Sequence, residues 1–143
     1  MSETAPIDLS IIVPCFNEEL NIPELTQRLL LTLETGKLTG ELVLVDDGSQ
    51  DGTARVIREQ MAKHPGRVVG VFHRGNKGIA AAWRSGTEAS RGAAVAVIDA
   101  DLQYRPEDVL RLHRKLSVGT LGPHPVGEQT SEETAQQDYR ISW

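Results

Sequence analysis

A single cysteine, Cys15, occurs in the whole chain, which excludes a disulfide framework and any cysteine-rich zinc site and fits a reducing compartment. Aromatic residues are nearly as scarce, at 4% of 143 residues, and hydrophobic content is 39%, slightly low for a globular domain. No apolar run approaches the ~20 residues that a membrane span needs. The opening Ser2, Glu3 and Thr4 lack the basic-then-apolar pattern of a secretory signal. The expectation is a cytoplasmic protein without a transmembrane segment, peripheral at most at the cytoplasmic face of a membrane. An excess of positive charge is missing too. The net charge is −5, and Glu128, Glu132, Glu133 and Asp138 against Arg140 place −3 of it after Leu116. The body before that point sits near −2, which argues against nucleic acid as a partner. No Gly-x-Gly-x-x-Gly follows the first apolar run and no Gly-Lys-Ser/Thr occurs, so dinucleotide and P-loop sites are disfavoured. His64, His73, His113 and His124 share no metal-ligand spacing and read as surface or cap residues.

What the chain does contain is an alternation of short apolar runs with amphipathic stretches. Leu9 to Val13 reads as a first strand, stopped by Pro14, which has no N–H for a ladder. Ile22, Leu25, Leu29 and Leu33 recur at helical spacing, and Gly36 ends that helix. Glu41 to Val45 is a second strand, and Ala54, Ile57 and Met61 mark the face of a second helix. Arg67 to Phe72 is a third strand, followed by a helix with a small inner face of Ile79, Ala82, Trp83 and Gly86. Ala94 to Ile98 is a fourth, and Pro106 starts a helix carrying Val109, Leu112 and Leu116. This β-α-β-α order predicts an α/β fold, a Rossmann-like parallel sheet with helices on both faces. Beyond Leu116 the Gly/Pro and Gln/Thr/Glu-rich composition cannot offset its ordering entropy, so residues 117–143 are expected to be a disordered tail on a domain of residues 1–116.

In this order each polar motif falls at the carboxyl end of a strand, where open α/β sheets bind ligands. Asp46 and Asp47 are adjacent carboxylates able to accept from a base N–H or from ribose hydroxyls, and Gly48 and Gly52 let backbone approach a ligand. Asp51 reads as an N-cap. Lys77, beside two glycines at a helix start, suits an anion or is an ordinary surface lysine, and the same two readings hold for Arg74. Asp99 and Asp101, with small Ala100 between them, suit a hard divalent cation that also holds phosphate oxygens, or form a solvated turn.

Ile11-Ile12-Val13-Pro14-Cys15-Phe16-Asn17-Glu18-Glu19, Val45-Asp46-Asp47-Gly48-Ser49-Gln50-Asp51-Gly52-Thr53, Asn76-Lys77-Gly78 and Asp99-Ala100-Asp101-Leu102-Gln103, followed by Pro106-Glu107, together resemble the family 2 glycosyltransferases of the GT-A fold. The Asp-Ala-Asp-Leu-Gln form is similar to the polyprenyl-phosphate branch, which includes dolichyl-phosphate mannose synthases. The resemblance spans residues 7–116. It implies a nucleotide-sugar pocket lined by Pro14, Phe16, Asn17, Glu18 and Asp46 or Asp47, with Lys77 near the nucleotide and Ala100 and Gln103 alongside. It also implies that Asp99 and Asp101 act in catalysis as the ligands of Mg²⁺ or Mn²⁺, Asp101 the more direct. The implied reaction is inverting transfer of a sugar from a UDP- or GDP-linked donor, with a lipid phosphate as acceptor. Family members continue with a strand and acceptor-side loops after the Asp-x-Asp helix, and no such motif follows Ser117. The alternative expectation is thus a truncated pseudoenzyme that binds nucleotide sugar without turnover.

Overall fold

The computed structural model describes residues 6–101, 105, 108–111 and 141–142. Four strands, Leu9–Cys15 (β1), Gly40–Asp46 (β2), Val68–Phe72 (β3) and Ala94–Val97 (β4), pair in parallel in the order β3-β2-β1-β4. Helices Ile22–Thr35 (α1), Thr53–Lys63 (α2) and Ile79–Ala89 (α3) make the crossovers. The predicted α/β sheet is present, and its helices cover both faces.

Strand alternation sorts the core into two layers. Leu9, Ile11, Val13 and Cys15 point with Leu42 and Leu44 toward α1 and α2, where Leu25, Leu29, Leu33 and Ile57 meet them. Ile12, Val43, Val45 and Val95 point the other way, onto Ala82 of α3. Each such fully buried aliphatic side chain contributes about 1.5–3 kcal/mol of transfer free energy. The small inner face of α3 has a steric cause. A Cβ on Gly86 would lie 2.5 Å from Ile12 Cγ2 and 3.2 Å from Val45 Cγ2, so only glycine lets the helix come this close. Ile79, expected on that inner face, is instead half exposed at the start of the helix.

Two strand expectations change. Pro14 does not stop β1, because it lies inside the strand opposite Val45. Ile12 O accepts from Ile98 N on the β4 side, whereas Cys15 O accepts from Asp47 N on the β2 side. The missing N–H of Pro14 therefore faces β4 beyond the last β1–β4 pair, Ile12 with Val97, and costs no ladder bond. No strand was expected after Ser117, yet Ile141–Ser142 (β5) pairs antiparallel with Ala96 and Val95 of β4. A sheet edge offers unpaired backbone groups to any extended segment, and two residues leave no hydropathy pattern to read. The expected tail is otherwise outside the described residues, as is most of the helix begun at Pro106. Residues 108–111 are helical, and Val109 joins the core on the α1 and α2 side of the sheet.

The amino end of the sheet is closed by a buried acid. Glu41, fully buried on β2, accepts from Ser10 Oγ at 2.6 Å, from Arg91 N at 2.7 Å and from Arg91 Nε at 2.9 Å. One carboxylate thus ties β2, β1 and the turn before β4 together. Arg91→Ala would leave that charge with two donors only, at an expected cost of about 2–3 kcal/mol in urea unfolding. Arg55→Ala, which breaks an exposed bridge to Glu59 on α2, should cost below about 0.5 kcal/mol. Equal losses for the two variants would contradict this account of the sheet's amino end.

Candidate functional site

The strand order reverses between β1 and β4, and at such a switch point the loops leaving the two strands diverge and open a crevice. A cavity of about 310 Å³ lies there, at the lower end of the range for small-molecule sites. Its wall combines Pro14, Cys15, Phe16 and Glu18 after β1, Asp47 after β2, Asn76, Gly78, Ile79 and Ala82 around the start of α3, and Asp99, Ala100 and Asp101 after β4. All four strand-end motifs therefore meet in one place.

The first three loops are bound to one another. Asn17, in the left-handed region at φ 54°, donates its N–H to Ser49 Oγ at 2.9 Å and accepts from Gln50 N on Oδ1 at 2.9 Å. Glu18 N donates to Thr53 Oγ1 at 2.9 Å, and Asp46 Oδ1 accepts from Ser49 N at 2.9 Å. Gly48 then packs against the next loop. At φ 73° a Cβ there would stand 2.3 Å from Gly75 C and 2.5 Å from Asn76 N, a backbone clash with no flexible group to yield. Asp51 sits one residue before the helix cap, which is Gly52, yet its Oδ1 accepts from Thr53 N at 2.9 Å and Thr53 Oγ1 at 2.5 Å. The N-cap expectation was off by one position, because glycine took the cap and Asp51 reached past it.

Asp47 is the joint between the second and third loops. Its Oδ1 accepts from Lys77 N and faces His73 Nδ1, both at 2.8 Å, and its Oδ2 accepts from Gly78 N at 3.0 Å. Burial pushes this carboxyl up, but the hydrogen bonds from His73, Lys77 and Gly78 outweigh it and hold the group below the usual carboxylate range. His73, read from sequence as a surface or cap residue, is a buried link, with Nε2 2.8 Å from Ser85 Oγ. A solitary histidine one residue past a strand carries no pattern that announces such a contact.

Of the residues expected in the pocket, Pro14, Phe16, Glu18, Asp47, Asp99, Ala100 and Asp101 line it. Asn17 and Asp46 are not among the lining residues and brace the loops, and Lys77 contributes its main-chain N–H to Asp47 while its side chain is exposed. Gln103 lies outside the described residues. Cys15, buried at the base, has a thiol pushed well above its ordinary range by burial and by the charges of Asp46 and Glu18. It stays protonated and is a poor nucleophile.

The wall is strongly acidic. Glu18, Asp47, Asp99 and Asp101 face the cavity, and among the described residues that line it none is basic. Partial burial, and after it the charge of Asp101, raises the carboxyl of Asp99 above its usual range. Among the described residues no three acidic, histidine or cysteine side chains form a closed cation cage. Two neighbouring carboxylates at an open pocket suit Mg²⁺ or Mn²⁺ whose remaining positions go to water and phosphate oxygens. The residues present fit such an ion.

Comparison with known proteins agrees with this geometry. The family described as "Glycosyl transferase family 2" matches residues 10–140. An undecaprenyl-phosphate 4-deoxy-4-formamido-L-arabinose transferase of Shewanella sediminis is 39% identical over 121 residues, 81% of this chain and 37% of that one. The protein of the same name from Pseudomonas aeruginosa is 42% identical over 116 residues, 80% of this chain and 34% of that one. The chain thus spans about a third of the length of the curated relatives it matches. Among solved structures, a mannosyltransferase of Pyrobaculum calidifontis in complex with GDP-Man and Mn²⁺ superposes with a TM-score of 0.63 at 28% identity, over 75% of this chain and 31% of that one.

The Gly48 contact gives a direct test of how the loops are held. Gly48→Ala meets both a left-handed backbone and the Gly75–Asn76 peptide, with an expected loss of at least about 2 kcal/mol in chemical denaturation. Gly75→Ala, whose Cβ meets open space, should stay within about 0.5 kcal/mol of the parent. Similar losses at both positions would show that loop stiffness, not this backbone contact, sets the effect.

Proposed function

The chain belongs to glycosyl transferase family 2, and from that premise we propose that its pocket binds a nucleoside diphosphate sugar together with Mg²⁺ or Mn²⁺ for inverting transfer of the sugar. The observation that carries this reading is the acidic wall. Glu18, Asp47, Asp99 and Asp101 make the described lining predominantly negative, and a divalent cation between this wall and a diphosphate would offset their mutual repulsion. Asp99 and Asp101 would hold that cation. When bound, it supplies Lewis-acid stabilisation of the charge that develops on the departing diphosphate.

The protein's own groups do the rest. The amino end of α3 lies at the cavity, and its dipole favours negative charge there. Half-exposed Phe16 and Ile79 give the pocket two apolar surfaces. Asp47, held by three donors, shapes the wall. A polyprenyl phosphate is the acceptor this reading favours, since the curated relatives are named as undecaprenyl-phosphate transferases. The second pKa of a phosphate monoester is ~6, so its oxygen is largely ionised at neutral pH and needs no base to remove a proton. An acceptor of that kind would bring the protein to a membrane surface, while no helix among the described residues is long and apolar enough to cross one.

Thermal-shift titration of the 143-residue chain with GDP, UDP and their sugars, with and without Mn²⁺, tests the donor site. One nucleotide should raise Tm only in the presence of the ion, by the mass-action stabilisation of a bound ligand. Asp101→Ala should abolish the ion-dependent part of that shift and leave the ligand-free Tm within about 2 °C, because Asp101 is an exposed loop residue. An undiminished shift in Asp101→Ala would remove the cation assignment.

A further inference from the structure

We infer that His73 is a positioning residue of the donor pocket, clamping the Asp47 carboxylate so that it fixes the wall formed by Asn76, Gly78 and Ile79. The inference rests on the donor-binding reading for its functional consequence, but its geometry stands independently. The imidazole is strung between two elements, with Nδ1 2.8 Å from Asp47 Oδ1 just past β2 and Nε2 2.8 Å from Ser85 Oγ in the body of α3. Its side chain is 6% exposed and that of Asp47 is 7% exposed. An ionised carboxylate accepts only, so Nδ1 carries the proton and donates to Asp47. Nε2 is then the acceptor for the Ser85 hydroxyl. In the neutral ring these contacts select the tautomer with the proton on Nδ1.

The consequence reaches the pocket through two amides. A buried carboxylate needs its donors, and Asp47 has three: the His73 ring, Lys77 N and Gly78 N. Lys77 and Gly78 are the last residues before α3, and the segment around them supplies Asn76, Gly78 and Ile79 to the cavity. Gly78, at φ 98°, has no preferred conformation of its own to hold that segment in place. The carboxylate does so, and the ring sets where the carboxylate points. The same three side chains have the order of a nucleophilic relay, Ser85–His73–Asp47, but neither Ser85 nor His73 lines the cavity. The arrangement therefore positions and does not react.

Two isosteric replacements separate the arms of the ring. In His73→Asn the amide nitrogen stands near the Nδ1 position and keeps a donor for Asp47. In His73→Gln it stands near Nε2, where it donates to Ser85 Oγ instead of accepting from it, and leaves Asp47 short of a donor. Amide hydrogen exchange of the whole 143-residue chain, without ligand, reads the wall directly. The Lys77 and Gly78 amides should exchange at least about tenfold faster in His73→Gln and within about threefold of the parent in His73→Asn. Affinity for GDP or UDP with Mn²⁺ should follow the same split, about tenfold weaker in His73→Gln and near the parent value in His73→Asn. Equal behaviour of the two variants, or undisturbed protection in His73→Gln, overturns the inference. Ring ¹⁵N shifts of the unmodified protein supply a check that needs no variant, and a proton on Nε2 with Nδ1 bare also overturns it. A parent protein that binds neither nucleotide removes the donor reading, and the exchange arm then decides the positioning role by itself.

Discussion

Two buried carboxylates stand at the two ends of β2, and the parts of this molecule are fastened to one another through them. At the amino end Glu41 is neutralised by Arg91 and tied to Ser10, which fixes β1, β2 and the entry to β4 relative to one another. Just past the carboxyl end Asp47 is satisfied by His73 and two main-chain amides, which fixes the loop after β3 and the start of α3. Burying an acid is costly unless donors surround it, so each carboxylate tolerates only the arrangement that supplies them. The first holds the sheet, and the second holds the pocket that the sheet presents.

The same constraint explains why the site is acidic yet ordered. Glu18 takes a hydrogen bond from Asn21 at 2.8 Å, and Asp47 has its three donors, so these two carboxylates are stabilised by the protein itself. Asp99 is different, because burial and the charge of Asp101 act on it in the same direction. In the proposed reading, a divalent cation held by Asp99 and Asp101 would offset this like charge. On that reading the pocket would favour the metal complex of a diphosphate over the bare anion.

Much of this was legible from the residues. The apolar runs at Leu9, Glu41, Val68 and Ala94 marked the strands because both faces of a covered sheet need aliphatic side chains. The four polar motifs met at one edge because a parallel sheet puts every such loop on the same side. What sequence did not carry were contacts between segments far apart in the chain. His73 to Ser85 and Asp47 has no periodicity. The division of labour between Asp46, which braces its own turn, and Asp47, which faces the cavity, depends on which way one peptide rotates at the strand end. Pro14 within β1 depended on β4 ending two residues early, a property of the partner strand. The expected placement of Gln103 and of residues 117–140 lies outside the described residues.

The central claim is that the crevice between β1 and β4 holds a nucleoside diphosphate through a cation at Asp99 and Asp101. Paramagnetic broadening of backbone amide resonances by Mn²⁺, recorded with and without GDP or UDP, tests it most directly. The account predicts that broadening appears with the nucleotide and centres on Asp99, Ala100 and Gly78, while Gly92, hydrogen-bonded to Ser10 at the opposite end of the sheet, keeps its signal. Broadening centred elsewhere, or no dependence on the nucleotide, would contradict it.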